Sequence, residues 1–254
     1  MDVIKRIRRS GGIVALSGKQ KVFSKFVSNW TSPDYWDEVQ EVGFTRGNEE
    51  ILFRSAPLKN VVDVVPHIVA LKTLRRINFD NTRIDSKSLV MLNRLESIEE
   101  LSLAGTTLGR SEFSAIADLE TLTHVNLYHA KFDENHLDSM ANTRLQSLSL
   151  SMTATTNIGT KHLSKLTFLK NLDLSATKIS DNGIRELVKL AQLEELNLCD
   201  SNVTDMCIEH LIRMKNLKKL DVCNTAITDQ ALDPLRKANP ELDIESGFVL
   251  ISWQ

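Results

Sequence analysis

The chain has little of what marks a specialised scaffold. Cysteine is scarce: Cys199, Cys207 and Cys223 are too few and too scattered in 254 residues for a disulfide framework, and they fit a reducing compartment. Ten glycines and five prolines exclude a collagenous chain. Charge of one sign is missing as well. Lys plus Arg number 31 against 33 Asp plus Glu, and a net charge of −2 supplies no global field for nucleic acid phosphates or anionic lipid. The longest apolar run near the start, Ile13 to Leu16, is too short for a signal-peptide core or a membrane span. A cytoplasmic location is therefore expected, with neither nucleic acid nor membrane as partner. What is present, 42% hydrophobic and 25% charged residues, is the composition of a compact soluble protein.

Self-comparison finds a fixed period, which overrides local readings of helix or strand. Repeats begin at Leu74, Ile98, Leu122, Leu145, Leu169, Leu193 and Leu217, spaced by 24 residues with one interval of 23. Apolar residues recur at repeat positions 1, 4, 6, 11, 16, 19 and 22. Of these 49 slots 46 are apolar, the exceptions being Thr143, Thr155 and Thr160. Positions 4 and 6 alternate, as Leu172 and Leu174 do, which predicts a short strand with one buried face. Positions 16, 19 and 22, as Ile184, Leu187 and Leu190, follow at helical spacing and mark a return segment. Between them Ser180-Asp181, Thr204-Asp205 and Thr228-Asp229 offer side-chain oxygens to cap the helix that follows. One such coil cannot hide its apolar face. Stacking the coils gives a parallel sheet backed by helices around a continuous core.

The pattern L-x-x-L-x-L-x-x-T-x-I-[ST]-D-x-x-[IL]-x-x-L resembles the leucine-rich repeat, in the 24-residue Thr-containing form of bacterial cytoplasmic arrays, and is similar to the repeats of F-box substrate receptors. The resemblance covers about residues 51 to 244. It implies an α/β fold, a right-handed solenoid or horseshoe with its parallel sheet on the concave side and helices on the convex side. Position 9 carries Thr82, Thr106, Thr153, Thr177, Ser201 and Thr225, with Ala130 as the departure. The resemblance implies that these hydroxyls satisfy buried backbone groups.

The ends read as caps. Val65, Ile68, Leu71 and Leu74 form a degenerate half-repeat, with Ile51 to Phe53 as its strand. Residues 1–50 lack the repeat and read as a helix stopped by Gly11-Gly12, then two strand-like runs around the Ser17-Gly18-Lys19-Gln20 turn. Trp30, Tyr35, Trp36 and Phe44 are suited to covering the open end of a solenoid. Residues 1–25 are basic and 31–50 acidic, so the two halves face each other or are solvated. Residues 51–244 form the array, and residues 245–254, ending near Trp253, form a C-terminal cap.

No chemical motif survives scrutiny. Gly11 to Gln20 looks like a phosphate-binding loop but has the wrong spacing between Gly12 and Gly18, with Gln20 where Ser or Thr is needed. Cys199 and Cys223 share position 7 of adjacent repeats and read as ordinary thiols. The six histidines lack a matched nucleophile and carboxylate, so neither catalysis, a metal nor a cofactor is expected.

The strand face carries the binding information. At positions 2 and 3, Arg75-Arg76 lies opposite Glu99-Glu100, and Lys170, Glu194 and Lys218 alternate in sign, so these stripes read as cross-strand ion pairs. Repeats three and four escape that pattern. They present His124, Asn126, Tyr128, His129, Ser149, Ser151 and Met152, an uncharged patch with one Tyr, a residue type enriched in interface hot spots. The expectation is a monomeric, non-catalytic module that binds another protein through this face. The alternative is a substrate-receptor adaptor of a ubiquitin ligase, although residues 1–50 show no F-box-like signature.

Overall fold

The structure, a computed structural model, describes residues 12–16, 39–44, 65–70 and 74–247. The chain divides into two compact units, Met1–Asn126 and Leu127–Gln254. No boundary between Asn126 and Leu127 is legible in the sequence, because the third repeat runs through it. The proposed strand at 51–53, the N-terminal helix and the lid at Trp253 lie outside the described residues.

In the N-terminal unit, strand β1 (Gly12–Leu16) pairs antiparallel with β2 (Val39–Phe44), and β2 runs parallel to β3 (Arg76–Asn78). From there the pairing stays parallel, β3 with β4 (Glu100–Ser102) and β4 with β5 (His124–Asn126). The described partner of β1 is thus not the run just after the Ser17–Gln20 turn. It is a strand more than twenty residues further on, where flanking acids hid the Val39 to Phe44 pattern. The return segments are helices Ser86–Met91 and Arg110–Ala117, and Val65–Ile68 supplies the helix of the half-repeat.

The C-terminal unit repeats the coil with less variation. Strands β6 (Ser147–Ser149), β7 (Asn171–Asp173), β8 (Glu195–Asn197), β9 (Lys219–Asp221) and β10 (Asp243–Glu245) pair in parallel and in register, position 4 against position 4 as in Leu148, Leu172, Leu196 and Leu220. Helices Asn157–Leu163, Asp181–Leu187, Ile208–Leu211 and Asp229–Ala238 return the chain. The third repeat, one residue short, uses a 3-10 segment, Glu134–Met140, instead. A 3-10 helix rises about 2.0 Å per residue against 1.5 Å for an α-helix, so it covers the same path with fewer residues.

The core slots are filled as the period requires. Leu169, Leu174, Ile179, Ile184 and Leu187 are fully buried, and each large apolar side chain so hidden contributes about 1.5 to 3 kcal/mol before chain entropy is set against it. The fourth repeat keeps the common strand and helix despite its two polar core slots. Thr155 and Thr160 are buried, but Thr155 Oγ1 lies 2.7 Å from Thr153 Oγ1 and Thr160 Oγ1 donates to the Asn157 carbonyl at 2.8 Å, so both hydroxyls are satisfied where they stand.

Two further positions hold each turn. At position 9, Thr82, Thr106, Thr153, Thr177 and Thr225 each donate to the carbonyl at position 6 of their own repeat, at 2.5 to 2.7 Å. Ser201 keeps the place but its buried Oγ has no partner. At position 8 the backbone is left-handed in all seven repeats, at Asn81, Gly105, His129, Met152, Ala176, Asp200 and Asn224, with φ between 52° and 67°. Gly105 suits its left-handed φ, and a Cβ there would stand 2.1 Å from Asn81 Oδ1, so the Asn81 side chain would have to turn away.

On the turn side of the C-terminal unit, position 13 serves the next coil rather than its own helix. Glu134 accepts from Thr156 N, Thr156 Oγ1 and Gly159 N at 2.7 to 2.9 Å. Asn157 engages Ser180, Asp181 takes the amide and hydroxyl of Thr204, and Asp205 takes those of Thr228. The capping expected of Ser180-Asp181 is therefore corrected. Thr204 and Thr228 cap their helices by side chain, whereas Ser180 Oγ accepts from Asn157 and makes no cap bond.

Candidate functional site

Charged stripes on the strand face neutralise one another largely as expected. In the N-terminal unit Arg75 pairs with Glu99 at 2.8 Å and Arg76 with Glu100 at 3.0 Å. In the C-terminal unit Lys218 pairs with Glu194 at 2.6 Å, and the Lys218 hydrogen bond holds the Glu194 carboxyl below its ordinary range. Lys219 turns to Glu245 of β10, at 2.9 Å, and not to Glu195. The last strand outcompetes the preceding one for that cation.

The seven residues read from the sequence as a contact patch divide between the units. His124 and Asn126, on β5, belong to the N-terminal unit; His124 is exposed, its Nδ1 lies 2.8 Å from Thr123 Oγ1, and Asn126 Nδ2 donates to Ser102 Oγ at 3.0 Å. The other five lie in the C-terminal unit. Ser149 Oγ donates to Asp173 at 3.1 Å, and Ser151, which is buried, accepts from Ser175 Oγ at 2.8 Å. These two hydroxyls therefore knit neighbouring coils together.

Tyr128 and Met152 differ from the rest. They are 45% and 47% exposed, among the few large apolar side chains left open to solvent, and Tyr128 Oη donates to Met152 Sδ at 2.9 Å. The His129 ring stands 6.2 Å from that of Tyr128, tilted by 43°. Both His129 and Met152 occupy the left-handed position 8; His, like Asn81, Gly105, Asp200 and Asn224, is a type that adopts it readily, whereas Met152 and Ala176 are not. A Met there carries a penalty on the order of 1 kcal/mol.

Position 5 was not singled out by the sequence except through Asn126 and Ser149. In the structure it forms a row in which a short polar side chain accepts from the amide two residues on: Asn78 from Asp80, Asp173 from Ser175, Asn197 from Cys199 and Asp221 from Cys223, at 2.8 to 3.0 Å. The recurrence of Asn, Ser and Asp at one repeat position was the available signal. Within the C-terminal unit this row floors a furrow of about 260 Å³ across β6 to β9, lined by Ser149, Asn171, Asp173, Glu195, Asn197 and Asp221 together with Lys219.

The three cysteines are free. Burial, aided by Asp200, pushes the Cys199 thiol up to about 12; burial pushes Cys207 to about 12 and Cys223 to about 11. They are protonated and poor nucleophiles at neutral pH. Among the described residues no group of three or more His, Cys, Asp or Glu is placed to hold a metal ion, and no helix is long and apolar enough to cross a membrane.

No protein-family model matches the chain, and no curated protein does. Solved structures do. An internalin C2 from Listeria monocytogenes is similar with a TM-score of 0.58 and 23% identity, over 84% of this chain and 83% of that one. An internalin, InlF, from the same organism is similar with a TM-score of 0.51 and 15% identity, over 76% and 72%. At such identities the likeness concerns architecture alone. With the parallel strand–turn–helix coils, it establishes that the chain folds as an α/β leucine-rich-repeat solenoid.

Proposed function

We propose that the chain is a non-catalytic protein-interaction module whose docking face is the strand side of the C-terminal unit, centred on Tyr128 and Met152. One observation carries this reading: a half-exposed tyrosine and methionine held together by a hydrogen bond, with the methionine in a backbone conformation that suits Asn or Gly better. A strained residue kept with its apolar side chain in solvent is what a docking surface uses, and Tyr is enriched where binding energy concentrates. His129 borders the pair. Ser149 and Ser151 fix the surface from beneath, and His124 and Asn126, in the N-terminal unit, are left out of it. Three free, protonated thiols support a reducing, cytoplasmic setting. An adaptor role in a ubiquitin ligase draws no support from the described residues.

Affinity capture from native lysate, run side by side with the full chain and with Tyr128→Ala and Met152→Ala, tests the reading. The captured protein should be lost or strongly depleted with either variant while thermal melts stay superimposable. An identical captured set would remove the docking face from consideration.

A further inference from the structure

We infer that the partner docks as an extended segment that lays an apolar side chain on Tyr128 and Met152 and inserts a Lys or Arg side chain into the furrow across β6 to β9. This rests on the docking face proposed above and adds the chemistry of its occupant. The furrow holds the carboxylates of Asp173, Glu195 and Asp221 against one cation, Lys219, whose Nζ is drawn 2.9 Å from Glu245 outside the lining. Lys218 is likewise occupied by Glu194. A net negative furrow therefore lies beside an uncharged apolar pair in the same unit.

The groups that hold Asp173 and Asp221 in place are neutral. Asp173 accepts from Ser149 Oγ, Ser175 Oγ and Ser175 N, and Asp221 accepts from Cys223 N. Neutral donors orient a carboxylate without cancelling its charge, so the furrow is arranged before a ligand arrives and meets a guanidinium or ammonium with charge-assisted hydrogen bonds. A bare metal ion is the wrong occupant, because no set of three ligands converges among the described residues. A polyanion is repelled. Met152 follows β6, and Asp173 and Asp221 stand one and three strands further on at about 4.8 Å per strand, so a ligand crossing the strands spans roughly 5 to 14 Å, or about two to four extended residues.

The test pans short random peptides displayed on phage against the full-length chain, then measures synthetic copies of the winners on two variants. One is Tyr128→Ala with Met152→Ala; the other is Asp173→Asn, Glu195→Gln and Asp221→Asn. Asn197 already makes the position-5 turn with an amide, so the second variant keeps the backbone bonds and loses only charge, which a melt checks. Winners should carry Lys or Arg about two to four residues from an aromatic or aliphatic side chain. They should bind the charge variant roughly tenfold more weakly and lose less affinity to added salt there than on the wild type. Winners that need Tyr128 and Met152 but carry no basic residue, or bind the charge variant equally, overturn this inference and leave the docking face standing. Winners indifferent to Tyr128 and Met152, or no winners at all, overturn both.

Discussion

Two rows of acidic and amide side chains run through the C-terminal unit, and they are used in opposite ways. On the turn side, Glu134, Asn157, Asp181 and Asp205 spend both side-chain heteroatoms on the amide and hydroxyl of the following coil. On the strand side, Asp173, Asn197 and Asp221 each turn an oxygen to the amide two residues on in their own coil and line the furrow, Asp173 also accepting from the Ser149 and Ser175 hydroxyls. The residue types are the same, so type does not separate scaffold from surface. The place of the backbone donor does. A side chain whose backbone donor belongs to the following coil is part of the joint between coils, and one whose donor lies two residues on makes a local turn and stays on the strand face.

The sharpest way to break that contrast is to delete one member of the turn row. Glu134→Ala strands the amides of Thr156 and Gly159 together with a hydroxyl, and denaturant unfolding should show a loss of about 3 kcal/mol. Gly183→Ala attacks the same joint by crowding, since its Cβ would stand 2.6 Å from Asn157 Oδ1 and 2.7 Å from Ile179 Cγ2, and about 2 kcal/mol should be lost in the same measurement. On the strand side the order of effects reverses. Met152→Asn should raise stability by about 1 kcal/mol, by relieving the left-handed strain, while lowering partner affinity in calorimetry. Ser201→Thr, which restores the hydroxyl geometry of the other repeats, should stabilise by about 0.5 kcal/mol. The smallest effect belongs to pH. In the N-terminal unit the Ser88 hydroxyl and amide hold the Asp85 carboxyl below its ordinary value of 3.8, so its contribution is complete above that pH and lost as pH falls through the lowered value. Asp85→Asn should flatten that acid limb in a series of melts.

The architecture was legible because it is written in slots. Forty-six apolar residues in phase leave one way to bury them, and the structure buries all but Phe132, Ile227 and Ala238. What escaped reading has a common cause, which is reach. Asp181 next to Ser180 looks like a cap for the helix it begins, and nothing local shows that its partner is Thr204, 23 residues away. The pairing of Lys219 with Glu245 was missed for the same reason, since the contribution of β10 could not be weighed against that of β8. Strand β2 lies outside the repeat frame and had no phase to reveal it. Of the patch residues, Tyr128 and Met152 could be placed on an outer face by position alone. The engagement of Ser149 and Ser151 depends on Asp173 and Ser175 one coil further on.

The forward grip of the turn row gives a repeat two ends that fit each other. The segment from Leu169 to Gln192 carries a receiving hydroxyl and amide at Ser180 and an offering carboxylate at Asp181, so a duplicated copy would arrive with both plug and socket. Lengthening such a protein by whole cassettes needs no new joint to be invented, whereas an insertion of any other length would leave a carboxylate facing empty space.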